Sequence, residues 1–260
     1  MGQAINRIKV SHEVPTCMLG ESLEFNDYDY ALVHLFEENS VYYQFYKDVV
    51  ESGRDVILDN SIFELGEAFE ASKFAYWIMK LKPSHYVVPD VLGKGMETCQ
   101  QLDDWFRYYA HVPGKAIGVV QGSTYEELTA CYRAMDRACD QIAICFHYPY
   151  YEQTDKGRME GRQNLIDRWL KEGIINEEKE HHLLGCSLPQ EFKHYKDYKW
   201  VYSLDTSNPI VHGIKNITYE GGALDYKESI KLVDLLSHIP TKSQRAAIDF
   251  NVSSFKKNLI

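Results

Sequence analysis

"DVILDNSIFELG", residues 55–66, runs from Val56, Ile57 and Leu58 straight into Asp59, Asn60 and Ser61 and closes on Phe63 and Glu64. A short apolar run bounded by polar residues predicts a buried strand. A carboxylate at its tip predicts that the strand end faces something other than core. Two later runs repeat the pattern: "HYVVPD" (85–90) ends on Asp90, and "KAIGVVQ" (115–121) ends on Gln121. Asp59, Asp90 and Gln121 lie 31 residues apart and then 31 again. A typical barrel of eight βα units spans roughly 250 residues, so this interval is the length of one unit. The 260 residues fit one whole barrel.

Four further runs read as strands: "YALVHLF" (30–36), "QIAICFH" (141–147), "HLLGC" (182–186) and "WVYSLD" (200–205). "NRIKVSHE" near the start supplies an eighth of mixed polarity, readable also as a leading hairpin or barrel floor. Between them lie amphipathic stretches with helical periodicity, "GEAFEASKFAYWIMKLK", "METCQQLDDWFRYYA", "STYEELTACYRAMDRACD" and "GRQNLIDRWLKEG". In the third, Ser123 or Thr124 is the N-cap, with acidic residues in the first turn where the helix dipole favours them. Strands alternating with helices predict an α/β protein built on a parallel sheet. The expectation is a single-domain (β/α)8 TIM-like barrel over 1–260, with an N-terminal leader or hairpin at 1–29 and a C-terminal helical segment at 214–260. A doubly wound open sheet is the alternative, because periodicity does not distinguish closure from an open edge.

The formal net charge of -10 argues against a surface built as a whole to attract polyanions, so any nucleic-acid contact must be local. Six cysteines, at 17, 99, 131, 139, 145 and 186, form no C-x-x-C pair and no zinc-knuckle spacing, and predict free thiols in a reducing compartment. No cationic segment leading into an apolar one opens the sequence, and no apolar run of about 18 residues occurs. A cytoplasmic protein with no membrane span is expected.

In a parallel barrel the carboxyl ends of the strands face a common pocket. Those positions hold Asp59, Asp90, Gln121 with Gly122, His147, Gly185 with Cys186, and Asp205. Any one Asp could be a helix cap; three with an amide at equivalent ends predict a site. His147 reads as a pocket wall or core residue, and His181 and His182 as solvent or bottom-face residues. There is no H-E-x-x-H, and no Gly-rich phosphate loop follows a strand. No metal and no cofactor is expected, although Asp59, Asp90, Asp205 and His147 would suit a metal by residue type.

"LDNSIF" (58–63), "VVPD" (87–90), "GVVQGSTYEEL" (118–128), "LLGCS" (183–187) and "SLDTSNP" (203–209) resemble, in the same order, the pocket motifs of tRNA-guanine transglycosylases. The likeness reaches from about residue 55 to 213, and "VVQGSTYEEL" is its most specific piece. It implies an irregular (β/α)8 barrel that exchanges guanine for a 7-deazaguanine (queuosine-like) base in a nucleic acid. By position it makes Asp205 the nucleophile on the anomeric carbon and Asp59 the general acid and base. It assigns Asp90, Gln121 and the Gly122 amide to the purine edge, Phe63 to stacking on the base, and the backbone at Gly185 and Cys186 to the pocket border.

The chain departs from that pattern in three places. No C-x-C-x-x-C cluster follows Asp205, so no zinc subdomain is expected; "NSIF" puts Ser61 and Ile62 where the family carries glycines; and "SLDTSNP" alters the nucleophile's loop. These departures, with the small size, resemble the compact phage- and island-encoded members that insert 7-deazaguanines into DNA. The implied partners are therefore DNA in preference to tRNA and a free 7-deazaguanine base, in the host cytoplasm if the chain is phage-encoded. The alternatives are the same exchange on tRNA, an N-glycoside hydrolase using the same carboxylates, and a non-catalytic purine-binding barrel. For phosphate contact the sequence offers Lys156, Arg158, Arg162 and Arg168, with Lys242, Arg245, Lys256 and Lys257 near the C-terminus.

Overall fold

The computed structural model describes residues 8–153, 157–186, 188–220 and 232–257. Its strands are β1 (Lys9–His12), β2 (Asp29–Leu32), β3 (Val56–Asp59), β4 (His85–Val87), β5 (Lys115–Val120), β6 (Gln141–Cys145), β7 (His181–Leu184) and β8 (Val201–Thr206). They form one eight-stranded sheet in the order β1-β8-β7-β6-β5-β4-β3-β2, and every pairing is parallel. With helices outside, this is an α/β fold, a nearly closed (β/α)8 TIM-like barrel.

Of the readings of "NRIKVSHE", the eighth strand is the one that forms: it supplies β1, which pairs with β8 through Ser11 opposite Asp205 and His12 opposite Thr206. β1 stands at the seam with β2, the two being the ends of the strand order. There, side chains replace a strand partner: Asp27 Oδ2 accepts from the Val10 N–H at 3.0 Å, and Asn26 Oδ1 from the His12 N–H at 2.7 Å. The Asn26 amide donates back to the His12 carbonyl at 3.1 Å, so the backbone groups of β1 are satisfied without a full ladder.

Several strand boundaries differ from the sequence reading, two of them for a clear local reason. "YALVHLF" stops being strand at Leu32, and its second half belongs to α2 (His34–Glu38), because a continuous apolar run has no period that separates a buried strand from a buried helix. In "HYVVPD" the ladder makes its last bond from the Val88 N–H to the Ile117 carbonyl at 2.9 Å; Pro89 has no N–H to continue it. Asp90 therefore sits three residues past β4, on the loop above the barrel mouth.

The expected helices form as α5 (Ala71–Leu81), α6 (Gly95–Tyr109), α7 (Tyr125–Ala138) and α8 (Gly157–Lys171), joined by α1 (Leu19–Phe25), α3 (Ser40–Glu51), α4 (Ile62–Leu65), α9 (Phe192–Tyr195), α10 (Asn208–Ile214) and α11 (Lys242–Lys257). Thr124 caps α7, its hydroxyl accepting from the Glu127 N–H at 3.2 Å, while the Glu127 carboxylate accepts from the Ser123 N–H at 2.8 Å. This cap fixes where the chain turns after Gln121. Between sheet and helices lie Val56, Leu58, Phe74, Ile78, Ile142 and Ile144, all fully buried, each adding roughly 1.5–3 kcal/mol by removal from water. Among the described residues, no helix is long and apolar enough to cross a membrane.

Candidate active site

Asp59 is the last residue of β3 and Asp205 the penultimate residue of β8, while Gln121 follows β5 directly and Gly185 follows β7 directly. All lie at the carboxyl ends of the strands, and Asp59, Asp90, Gln121 and Asp205 are 6%, 2%, 2% and 5% exposed. Carboxylates this deep persist only where the surroundings provide donors.

Asp59 has two. The Tyr30 hydroxyl on β2 donates to its Oδ2 at 2.6 Å, and the Ser61 N–H donates to its Oδ1 at 2.6 Å. The second bond requires a tight turn that puts Ser61 at φ 62, the left-handed region that L residues avoid at a cost of about 1–2 kcal/mol. This turn answers the question posed by "LDNSIF": the strand ends on a carboxylate that its own next turn binds. Burial pushes the Asp59 carboxyl up to about 6; the Tyr30 and Ser61 bonds oppose that rise, the Asp205 charge adds to it, and His182 opposes it.

Asp90 is bound by amides. Asn60 Nδ2 donates to Oδ1 at 2.8 Å and Gln121 Nε2 to Oδ2 at 2.7 Å. Gln121 is in turn held by the Gly93 N–H, which donates to its Oε1 at 3.0 Å, so in this structure Gln121 orients Asp90. Burial pushes the Asp90 carboxyl up to about 7, against the two amide bonds and with a contribution from the Asp59 charge. Gly122 packs on the start of α7, where an added Cβ would lie 2.8 Å from the Leu128 nitrogen.

Asp205 Oδ1 accepts two bonds, from the Gly185 N–H at 2.8 Å and from His182 Nε2 at 3.0 Å. Gly185 presents its N–H from a left-handed conformation, φ 67. Among the described residues nothing donates to Oδ2, so both bonds fall on Oδ1.

Sequence reading missed three parts of this site. His182, expected at the bottom face, is fully buried on β7 and lies directly against Asp205; His181, beside it, is also fully buried and meets the Tyr132 hydroxyl at 2.9 Å. Tyr30 is the second, its ring stacked on His182 with centroids 6.0 Å apart and planes 9° apart. The third is the environment of Arg162, which was expected to contact phosphate. Arg162 is fully buried, with Nε and Nη2 on the two oxygens of Glu191 at 2.8 and 2.9 Å. Its Nη1 donates to the carbonyls of Ile144 and Leu184 at 3.1 and 3.2 Å, tying together the ends of β6 and β7. Cys186 lies in the same cluster, its thiol 3.2 Å from Glu191 Oε2 and its backbone N–H on the Asp205 carbonyl at 2.9 Å. Burial raises that thiol well above the ordinary range.

Of the other expected contacts, Phe63 stands 52% exposed on the short α4 (Ile62–Leu65) beside Asp59, and Arg158 is exposed in the first turn of α8. Arg168 lies over the Tyr125 ring, 3.3 Å from its centroid, and pairs with Glu172 at 2.9 Å. Lys156 lies outside the described residues. Near the C-terminus Arg245 pairs with Glu21 and Lys256 with Asp27, while Lys242 and Lys257 are exposed. Tyr148 and Tyr151 are buried under the β6 end, where the Tyr148 hydroxyl donates to the Val120 carbonyl at 2.6 Å. His147 is exposed, and among the described residues no group of three or more His, Cys, Asp or Glu is arranged to hold a metal ion.

The fold and site together define a barrel with three buried carboxylates, Asp59, Asp90 and Asp205, at the carboxyl ends of its strands. Compared with known proteins, the chain matches no family model and no curated protein.

Proposed function

We propose that this chain is a base-exchanging pentosyltransferase that replaces guanine in DNA by a 7-deazaguanine. The observation that carries the reading is the contrast between two carboxylates at one barrel mouth. Asp205 has Oδ1 fixed and, among the described residues, no donor on Oδ2, as a nucleophile requires, while Asp59 has a carboxyl raised to about 6, as an acid that also serves as a base requires.

In the first half-reaction Asp205 Oδ2 attacks C1′ as the bond from C1′ to the guanine nitrogen breaks, and Asp59 delivers its proton to the departing base. In the second, Asp59 takes the ring N–H proton of the incoming base, whose nitrogen attacks C1′ and releases Asp205. The oxocarbenium-like transition state and the covalent glycosyl ester are those of retaining glycosidases. Asp90, oriented by Asn60 and Gln121, has, once ionised, a second lone pair on each oxygen for the N1–H and 2-amino donors of guanine, a pattern adenine lacks. The preference for DNA over tRNA rests on the departures of "NSIF" and "SLDTSNP" from the pattern of the tRNA-acting members.

Asp205→Asn tests the assignment directly. Incorporation of labelled 7-deazaguanine into DNA is expected to fall at least about 1,000-fold with the folded state retained. Undiminished incorporation by that variant refutes the assignment. Release of free guanine without replacement points instead to a hydrolase using the same carboxylates.

A further inference from the structure

The geometry points to His182 as the positioning residue of Asp205, holding its Oδ1 through an Nε2–H so that Oδ2 faces the anomeric carbon; this rests on reading Asp205 as the nucleophile. The tautomer follows from the hydrogen bonds. Ser203 is 2% exposed, and its hydroxyl has one polar neighbour among the described residues, His182 Nδ1 at 2.9 Å. A buried hydroxyl places its proton on an acceptor, so Ser203 donates and Nδ1 is bare. The ring proton is then on Nε2, 3.0 Å from Asp205 Oδ1, where it can only donate.

Ser203, His182 and Asp205 use the residue types of a serine hydrolase triad, but Ser203 is no nucleophile. It lies two residues below Asp205 on the same strand, inside the barrel and away from the mouth. The ring cannot swing either, because Tyr30 stacks on one face with planes 9° apart and Tyr28 meets it edge-on at 6.4 Å. Tyr30 also donates to Asp59, so a single wall of two rings sets the directions of both carboxylates. With the Gly185 N–H as the second donor, Oδ1 is held from two sides and rotation of the carboxylate is blocked.

His182→Phe keeps a ring against Tyr30 and removes the donor, and His182→Gln restores a side-chain N–H. With the wild-type chain active in labelled-base incorporation, His182→Phe is expected to lower kcat about 10- to 100-fold with KM within about twofold, and His182→Gln to recover part of that loss. Long-range proton–nitrogen spectra of the unliganded wild-type protein are expected to show the His182 proton on Nε2 and to show that resonance move in Asp205→Asn. A His182→Phe enzyme with wild-type kcat, or a ring proton on Nδ1, overturns the proposal. A wild-type chain that incorporates no base overturns the transferase reading instead, and the ring spectra then decide by themselves whether His182 holds Asp205.

Discussion

Replacing Asp90 by Asn removes a carboxyl that the fold keeps protonated far above its ordinary range, and the consequence is a measurable change in how stability depends on pH. In the native state Asp90 titrates at about 7, raised by burial from an ordinary value of 3.8. Its folded value is above its unfolded value, so between these two the native state holds the proton that the unfolded chain has released. The stabilising contribution is complete below about 4 and is lost as pH rises through 7. Each unit corresponds to about 1.36 kcal/mol, so between pH 5 and pH 8 this carboxyl withdraws about 2–3 kcal/mol from the wild-type protein. Asn does not titrate. The stability of Asp90→Asn relative to wild type is therefore expected to rise by about 2–3 kcal/mol over that interval, whatever constant offset comes from turning its amide toward Asn60 or Gln121. Comparing the two proteins is essential, because buried His12 and His181, both pushed down to about 4 by burial, titrate in the opposite sense in each protein and cancel only in the difference. Urea unfolding at pH 5, 6, 7 and 8, extrapolated linearly to water, measures it. A difference that stays constant with pH to within about 0.5 kcal/mol would show that Asp90 is already ionised at pH 5 and would refute the reasoning.

Two further outcomes follow from the same geometry. Tyr30→Phe removes a donor to Asp59 and is expected to move the Asp59 titration upward from about 6, so the activity limb that it controls should shift to higher pH; an unmoved limb would separate Tyr30 from the acid/base step. Arg162→Met leaves Glu191 buried without its cation and is expected to cost about 3–5 kcal/mol in urea unfolding, whereas Arg162→Met with Glu191→Leu should recover most of it. Were Arg162 a phosphate contact, its loss would instead flatten the salt dependence of nucleic-acid binding and spare stability.

Much of the barrel is local information. Apolar runs such as "DVILD" and "KAIGVVQ" with amphipathic stretches between them define the βα units, and the interval between Asp59, Asp90 and Gln121 measures the repeat. That the same residues stand at one mouth follows from parallel pairing, since every strand then points its carboxyl end the same way. Asp59, Asp90, Gln121 and Asp205 were legible for that reason.

The partners of those residues were not. Tyr30 reaches Asp59 across 29 residues of sequence, His182 reaches Asp205 across 23, and Arg162 reaches Glu191 across 29. No local pattern encodes such pairings. A His at the start of a strand and an Arg in a basic helix both read as exposed, because transfer of a polar group from water is unfavourable unless a partner compensates it. Sequence determined which groups stand at the strand ends; only tertiary structure decided which distant side chains bind them, because a partner is defined by distance in space and not by separation along the chain.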